Sequence, residues 1–247
     1  MIKKIIFAAL LCLPVVAMAS SEGYKLDEFK PNVEDKLSLQ RGARVFVNYC
    51  VNCHSASYMR YSRLQDLGLT EKQIVDNLMV TGEKPVETMT AALRPADAEA
   101  WFGVAPPDLT VIARAKEQGP NWLYTYLRTF YRDPSRPTGW NNLVFTNVGM
   151  PHALWELQGE RVAHYRTEKG HDGKEAHVFD RFETTRPGKM SAAEYDATVK
   201  DLVNYLVYMG EPAQTKRKIT GIFVIFFLVG LTVLAYYLKK EFWKDIH

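Results

Sequence analysis

The sequence predicts a mainly α domain with long loop insertions, followed by one C-terminal transmembrane helix. Three observations carry that prediction. Apolar residues recur at helical spacing in four segments, and alternating strand patterns are scarce. The stretch "ITGIFVIFFLVGLTVLAYYL", residues 219–238, runs without a single charge. With 247 residues, 47% of them hydrophobic, the chain has ample material for one core.

Taken in order, residues 1–19, "MIKKIIFAALLCLPVVAMA", read as a cleaved secretory signal. Lys3 and Lys4 form its basic start, Ile5 to Val16 its apolar stretch, and Ala17-Met18-Ala19 a small-x-small cleavage site. Cleavage there removes two lysines and no acid, so the formal charge falls from +3 to +1. So balanced a chain carries no electrostatic footprint for nucleic acid. The exported domain is expected over residues 20–215.

Its first helix is "SLQRGARVFVNYC" (38–50), with Ser38 as N-cap and Leu39, Gly42, Ala43, Phe46, Tyr49 and Cys50 on one face. "TEKQIVDNLMV" (70–80) opens with a Thr70…Gln73 capping box and gathers Ile74, Val75 and Leu78. "NWLYTYLRTFY" (121–131) reads as an aromatic-rich helix. From Gln158 to Lys189 the chain is strongly polar, with His164, His171 and His177 spread irregularly through it. That pattern predicts a solvated loop rather than a metal site. "SAAEYDATVKDLVNYLVYMG" (191–210) opens with a Ser191…Glu194 box, buries Tyr195, Val199, Leu202 and Leu206, and stops at Gly210.

The membrane anchor takes residues 216–238. At 1.5 Å per residue its uncharged run spans about 30 Å, the thickness of a bilayer core. Tyr236, Tyr237 and Trp243 stand where an aromatic belt lies. Lys216, Arg217 and Lys218 precede the span, and Lys239, Lys240 and Lys244 follow it, so basic residues give no orientation. The signal does. It places the body on the periplasmic side of the inner membrane and leaves residues 239–247 in the cytoplasm. The flanking basic cluster reads as interfacial anchors whose stems snorkel along the bilayer.

Of the three cysteines, Cys12 leaves with the signal, and the mature chain keeps Cys50 and Cys53 in "YCVNCHSASY" (49–58). In an oxidising compartment such a pair could form a disulfide, a redox-active Cys-x-x-Cys or half of a zinc site, though no second cysteine pair completes the last. His54, directly behind Cys53, points instead to a covalently bound haem c. Two thiols attach the porphyrin, and the next residue presents an imidazole to the iron. The Pro- and Gly-containing connections of the middle of the chain suit folding around such a large flat cofactor.

Imidazole fills one axial position of the iron. A thioether in the other makes a high-potential electron carrier, whereas an open site or a second histidine serves other uses. The thioether candidates are Met59, Met79, Met89, Met150, Met190 and Met209. Met59 lies too close to His54 along the chain, and Met79 and Met209 fall in helical patterns, where methionine fills cores. Met150 sits in "NVGMPH", where Gly149 permits close backbone approach and Pro151 fixes the turn. Met150 therefore leads, with His152 its rival. The residues alone give an exported, membrane-tethered, single-haem electron carrier. A haem-based ligand sensor or peroxidase-like enzyme is the alternative if the distal position is open.

Beyond the haem motif, the chain resembles the cytochrome c1 family, the haem subunits of the ubiquinol–cytochrome c reductase complex. The likeness covers nearly the whole mature chain. Its landmarks are "YCVNCHSASYMRYSRL", "APPDLTVIARAK" (105–116), "RDPSRPTGWNN" (132–142), "NVGMPHALW" (147–155), "RPGKMSAAEYDATVKDLVNYLVYMGEP" (186–212) and the single C-terminal anchor. The resemblance implies a class I cytochrome c-like haem domain with insertions between the histidine and the methionine. Its first and last helices cross through Gly42/Phe46 and Tyr205/Leu206. Cys50 and Cys53 make the thioethers, and His54 and Met150 are the proximal and distal iron ligands. Pro106 and Pro107 line the pocket, and Arg114 or Lys116 meets a haem propionate. The family often has arginine where Lys116 stands; lysine keeps the charge and lacks the planar fork. Trp122 takes an aromatic position that is often tyrosine. The implied work is single-electron transfer from a Rieske iron–sulfur subunit to a soluble or membrane-tethered cytochrome c, beside the cytochrome b subunit. The chain then serves as the electron-transfer subunit of the reductase, with no bond-making chemistry of its own. A free-standing tethered cytochrome serving an oxidase or a denitrification enzyme is the alternative.

Overall fold

The computed structural model describes residues 24–169 and 175–245. The expected signal, residues 1–19, and His171 lie outside them. In chain order the elements are α1 (Lys36–Tyr49), β1 (Ala56–Arg60), a 3-10 segment (Tyr61–Leu67), α2 (Glu71–Asn77), β2 (Thr88–Met89), α3 (Pro95–Phe102), α4 (Ile112–Ala115), α5 (Gly119–Arg128), β3 (Phe130–Arg132), β4 (Trp140–Asn142), α6 (Trp155–Gln158), β5 (Gly159–Lys169), β6 (Glu175–Pro187), α7 (Ala192–Gly210) and α8 (Gln214–Phe242). Among the described residues the strands form three separate antiparallel pairs, β1-β2, β3-β4 and β5-β6.

The core is organised by the crossing of α1 and α7, at the residues the resemblance implies. A Cβ on Gly42 would lie 2.1 Å from the Asp201 carbonyl oxygen and 2.7 Å from Tyr205 Cβ, so only glycine lets the two backbones come this close. Around that point Leu39, Ala43 and Phe46 are buried with Leu202, Tyr205 and Leu206, and the Phe46 and Tyr205 rings lie 5.6 Å apart. Each large apolar side chain withdrawn from water in this way contributes roughly 1.5–3 kcal/mol.

Local signals hold with two corrections. Asp35, not Ser38, caps α1, its carboxylate accepting from the Ser38 N–H at 3.0 Å. The Ser38 hydroxyl serves the crossing instead, donating to Asp201 Oδ1 at 2.6 Å and accepting from Asn204 Nδ2 at 2.9 Å. Both expected capping boxes, Thr70…Gln73 and Ser191…Glu194, are formed. Ile74 and Leu78 are buried as expected, but Val75 turns out to solvent.

Two segments depart from the expected helix-and-loop pattern. The aromatic-rich helix ends at Arg128, and Phe130–Arg132 leaves it as β3, with Phe130 paired to Asn142. The polar stretch after Gln158 is a correction of a larger kind. It is a long antiparallel ribbon, β5 against β6, rather than a solvated loop. Its β-branched and aromatic residues (Val162, Tyr165, Val178, Phe179, Phe182) favour strands. Register shifts at Glu160/Arg161 and His164/Tyr165 break the two-residue alternation that would have disclosed it. Arg161 pins the ribbon to the core. Its guanidinium donates to the Phe130 carbonyl at 2.9 Å and to the Arg128 carbonyl, and lies 3.7 Å over the Phe182 ring. His164 faces Glu183 at 2.7 Å, and His177 pairs with Thr167 in the ribbon register.

Only Glu211, Pro212 and Ala213 separate α7 from α8. Along α8 the described side chains of the uncharged run are exposed, Phe223 and Phe226 by 69% and 72%, so that surface is made for lipid or for other spans. Glu211 clamps the joint. Its carboxylate takes a hydrogen bond from the Arg217 guanidinium on α8 and lies 3.1 Å from Arg114 Nη1 on α4. The Arg217 hydrogen bond, then the Arg217 and Arg114 charges, hold the Glu211 carboxyl below its ordinary range. A depressed carboxyl contributes stability above its unfolded pKa and loses it as pH falls through the folded one. The gap in melting temperature between wild type and Glu211→Gln should therefore be constant near neutrality. It should close as pH drops below the ordinary glutamate value of about 4.3. A gap that persists in acid would show that these ion pairs do not hold the joint.

Candidate functional site

The C-terminus of α1 delivers the cysteine motif. Cys50 caps the helix, its N–H bonded to the Phe46 carbonyl at 2.8 Å, and the next turn returns the His54 N–H to the Cys50 carbonyl at 2.8 Å. This tight turn puts Cys50, Cys53 and His54 on the wall of one apolar cavity of about 290 Å³, the scale of a cofactor cleft. Leu202 and Leu206 of α7 line the same cavity. The two sulfurs are not joined to each other. Burial, with a smaller push from Cys53, raises the Cys50 thiol to about 12, and burial also raises Cys53. A redox-active pair needs the opposite shift, because the thiolate is the reactive form.

His54 is buried and held in a single orientation. Its Nδ1 lies 2.8 Å from the Pro107 carbonyl, which can only accept, so Nδ1 carries the proton and Nε2 keeps its lone pair. Burial lowers the His54 pKa, against smaller upward pushes from the Pro107 hydrogen bond and the Asp108 charge, so the ring stays neutral. A neutral ring with one nitrogen tied to a carbonyl is the form in which imidazole binds a metal. The segment that supplies this carbonyl is itself clamped. Asp108 accepts from the Ser57 and Thr110 N–H groups, each at 2.8 Å, and the Leu109 N–H donates to the Ser55 carbonyl at 2.8 Å. Burial would raise the Asp108 carboxyl, but hydrogen bonding from the Thr110 and Ser57 side chains, and then from their N–H groups, outweighs it and holds the carboxyl down.

Met150 reaches the cavity from the loop after β4. Gly149 makes room for that loop, since a Cβ there would sit 3.0 Å from Val104 Cγ1 and 3.3 Å from the Phe102 carbonyl. Asn147 sits in the left-handed region at φ 61°, which asparagine tolerates better than most residues. Asn141 accepts from its N–H at 2.9 Å, and Arg136 donates to its carbonyl at 3.2 Å. Two of the sequence landmarks thus meet, the first holding the second in place.

The other expected residues separate into two groups. Pro106, Pro107 and Trp122 line the cavity. Lys116 stands just outside, its Nζ 4.7 Å over the Trp122 ring. Arg114 is turned away and paired with Glu211. His152, the rival to Met150, is also turned away. It is buried, stacked on Phe130 at 4.8 Å, and bonded through Nε2 to Gln158 Oε1 at 2.8 Å, and burial lowers its pKa to about 3.

Of the cavity residues that escaped the sequence reading, one touches an expected ligand. Tyr126 of α5 donates its hydroxyl to Met150 Sδ at 3.3 Å and stacks on Trp122 at 4.6 Å. Its signal was present as an aromatic at i+4 from Trp122, but an aromatic-rich helix offers several such pairs. The donor set fits a haem c: two thiols, a neutral imidazole and a thioether converge on one apolar pocket.

Comparison with known proteins agrees with this chemistry. The sequence model described as the Cytochrome C1 family matches residues 31–246. A protein named cytochrome c1 from Allochromatium vinosum is 44% identical over 99% of this chain and 100% of its own length. One of that name from Rhodospirillum rubrum is 30% identical over 86% of this chain and 83% of its own. A protein named ammonia monooxygenase gamma subunit, from Nitrosomonas europaea, is 49% identical over 99% of this chain and 98% of its own.

Covalent attachment has a direct readout. The purified chain should stay coloured after denaturation and acid–acetone extraction, and replacing Cys50 and Cys53 together by alanine should release the colour. A wild-type chain that comes out colourless, with Cys50 and Cys53 in a disulfide, would end the haem reading.

Proposed function

Because the chain belongs to the cytochrome c1 family, we propose that it relays single electrons within the quinol-oxidising cytochrome bc1 complex. The donor is the Rieske iron–sulfur subunit, and the acceptor is a soluble or membrane-tethered cytochrome c on the periplasmic side. The chain works beside the cytochrome b subunit, as the electron-transfer subunit of ubiquinol–cytochrome c reductase, and makes no bond of its own. Residues 1–19 leave as the signal, residues 20–215 form the periplasmic domain, and residues 216–238 anchor it. The observation that carries this reading is the convergence of Cys50, Cys53, His54 and Met150 on one apolar cavity.

A haem c held there supplies an iron centre that gains and loses one electron. The chain's own residues fix and tune the site. Cys50 and Cys53 bind the porphyrin edge, so the cofactor cannot dissociate. His54 offers Nε2 because Pro107 holds the other nitrogen. Met150 offers a soft sulfur, which favours the ferrous state and raises the potential. Pro106, Pro107, Trp122 and Leu206 exclude water, and the low dielectric of such a wall works in the same direction. Of the two cations considered, Lys116, placed at the rim beside Trp122, is the better placed to meet a propionate, since Arg114 is engaged by Glu211.

Two substitutions separate these roles. Met150→Leu should keep near-normal haem content while lowering the potential steeply, changing the ferric spectrum and admitting carbon monoxide. His152, packed away against Phe130, should not replace the lost sulfur. Tyr126→Phe should act more gently. Its hydroxyl proton places positive charge at the sulfur, which disfavours ferric iron. Loss of one hydrogen bond worth ~1 kcal/mol should lower the potential by at most about 40 mV, the limit reached when the bond favours only the ferrous state. An unchanged potential and spectrum in Met150→Leu would place the ligand elsewhere.

The partners are tested by purification in mild detergent. Cytochrome b and a Rieske protein should accompany this chain, and the preparation should reduce cytochrome c with quinol. Recovery with an oxidase, a denitrification enzyme or monooxygenase subunits instead would overturn the assignment.

A further inference from the structure

A second concavity lies where the domain meets the membrane. It is an open groove of about 360 Å³ between the β1 region and the α7–α8 joint. Its walls include Tyr58, Arg60, Arg63, Val111, Gly210 and Pro212. The cavity already described shares none of these residues.

Depth, charge and shape point to one occupant. The groove ends at Pro212, and α8 begins at Gln214, five residues before the uncharged run starts at Ile219. Five residues of helix rise about 7.5 Å, and the polar zone of one leaflet is roughly 5–7.5 Å thick. The membrane helix therefore sets the groove at the level of lipid headgroups. Arg217 is held to Glu211, which fixes α8 to the same joint that forms the groove wall.

The groove is also basic. Arg60 donates one Nη1 bond to the neutral Val86 carbonyl, so its charge is uncompensated by that contact. Arg63 is 2.7 Å from Asp66, and that carboxylate also accepts from the Tyr208 hydroxyl at 3.0 Å. Guanidinium groups present paired donors that match phosphate oxygens. Tyr58, 82% exposed, adds a ring with a polar tip, the kind of side chain that settles at a membrane interface. Lys216 and Lys218 add positive charge one turn away along α8, where basic residues gather anionic lipid.

We propose that this groove holds the phosphate of an anionic phospholipid from the outer leaflet, with Arg60 as its principal contact. The inference rests on α8 crossing the membrane with the domain on the proposed periplasmic side, and is independent of the haem reading.

The test uses the full chain, purified with its partners from membranes and exchanged into nanodiscs. These contain phosphatidylcholine alone or phosphatidylcholine with one part in five phosphatidylglycerol. Native mass spectrometry after gentle release counts retained lipid. Wild type should retain at least one phosphatidylglycerol that Arg60→Gln loses, and Arg60→Lys should recover part of it. Retention of phosphatidylcholine should not change, and the haem spectrum should stay that of wild type in all variants. Lys216→Gln with Lys218→Gln should thin the anionic lipid around α8 without removing the retained molecule. Equal retention in wild type and Arg60→Gln would overturn the proposal. So would displacement of the lipid by millimolar inorganic phosphate, which would mark a free-phosphate site. Loss of a protein subunit rather than of lipid from Arg60→Gln would also overturn it, by assigning the groove to a partner protein.

Discussion

The close approach of α1 and α7 at Gly42 is the constraint on which the rest of the structure depends. With no side chain at that point, the Asp201 carbonyl can lie where a Cβ would otherwise be. That contact fixes the axis of α1, and the axis fixes where its last turn releases Cys50. It also brings Leu202 and Leu206 to the floor of the cavity that the cysteines border. A residue with any side chain at position 42 would move one helix against the other. The cysteine turn and the floor would then part company.

Around that frame the site is held by loops that are themselves tightly bonded. On the histidine side, "APPDLT" is stitched to "SASY" through Asp108, Leu109 and Ser55, and the Pro107 carbonyl is thereby a fixed acceptor. On the methionine side, Arg136 and Asn141 hold Asn147 from both of its backbone polar groups. Loops with this many internal partners behave like short rigid elements, which is what a centre with little structural change between two charge states requires. The hydrophobic wall and the polar scaffolding behind it divide the work. The wall excludes water, and the scaffold keeps the ligand atoms where they are.

Much of this was legible because it is local. The capping boxes, the α7 stripe, the uncharged span and the cysteine motif are each written in a few consecutive residues. Three features were not legible, for different reasons. The β5–β6 ribbon carries strand-favouring residues, but two bulges reverse which face they occupy, so no steady alternation survives. Asp35 and Ser38 both suit a helix cap, and the choice was made by Asp201 and Asn204, far away in sequence. The fate of Arg114 and His152 was likewise decided by distant partners, Glu211 for one and the stack on Phe130 for the other. Tyr126 illustrates the same limit in reverse. Its spacing from Trp122 was plain, but only the assembled fold shows its hydroxyl meeting the Met150 sulfur.

The joint between α7 and α8 has a consequence for motion. Three residues, one of them proline, with a carboxylate gripping an arginine on either side, make a stiff mast and not a leash. A head mounted on a mast keeps one height and one heading above the bilayer. It cannot swing between positions close to the membrane and far from it. Electron tunnelling needs close approach at both ends, so the travelling must be done by the molecules that visit. On the proposed function, the mobility of this relay then lies with its partners and not with the chain itself.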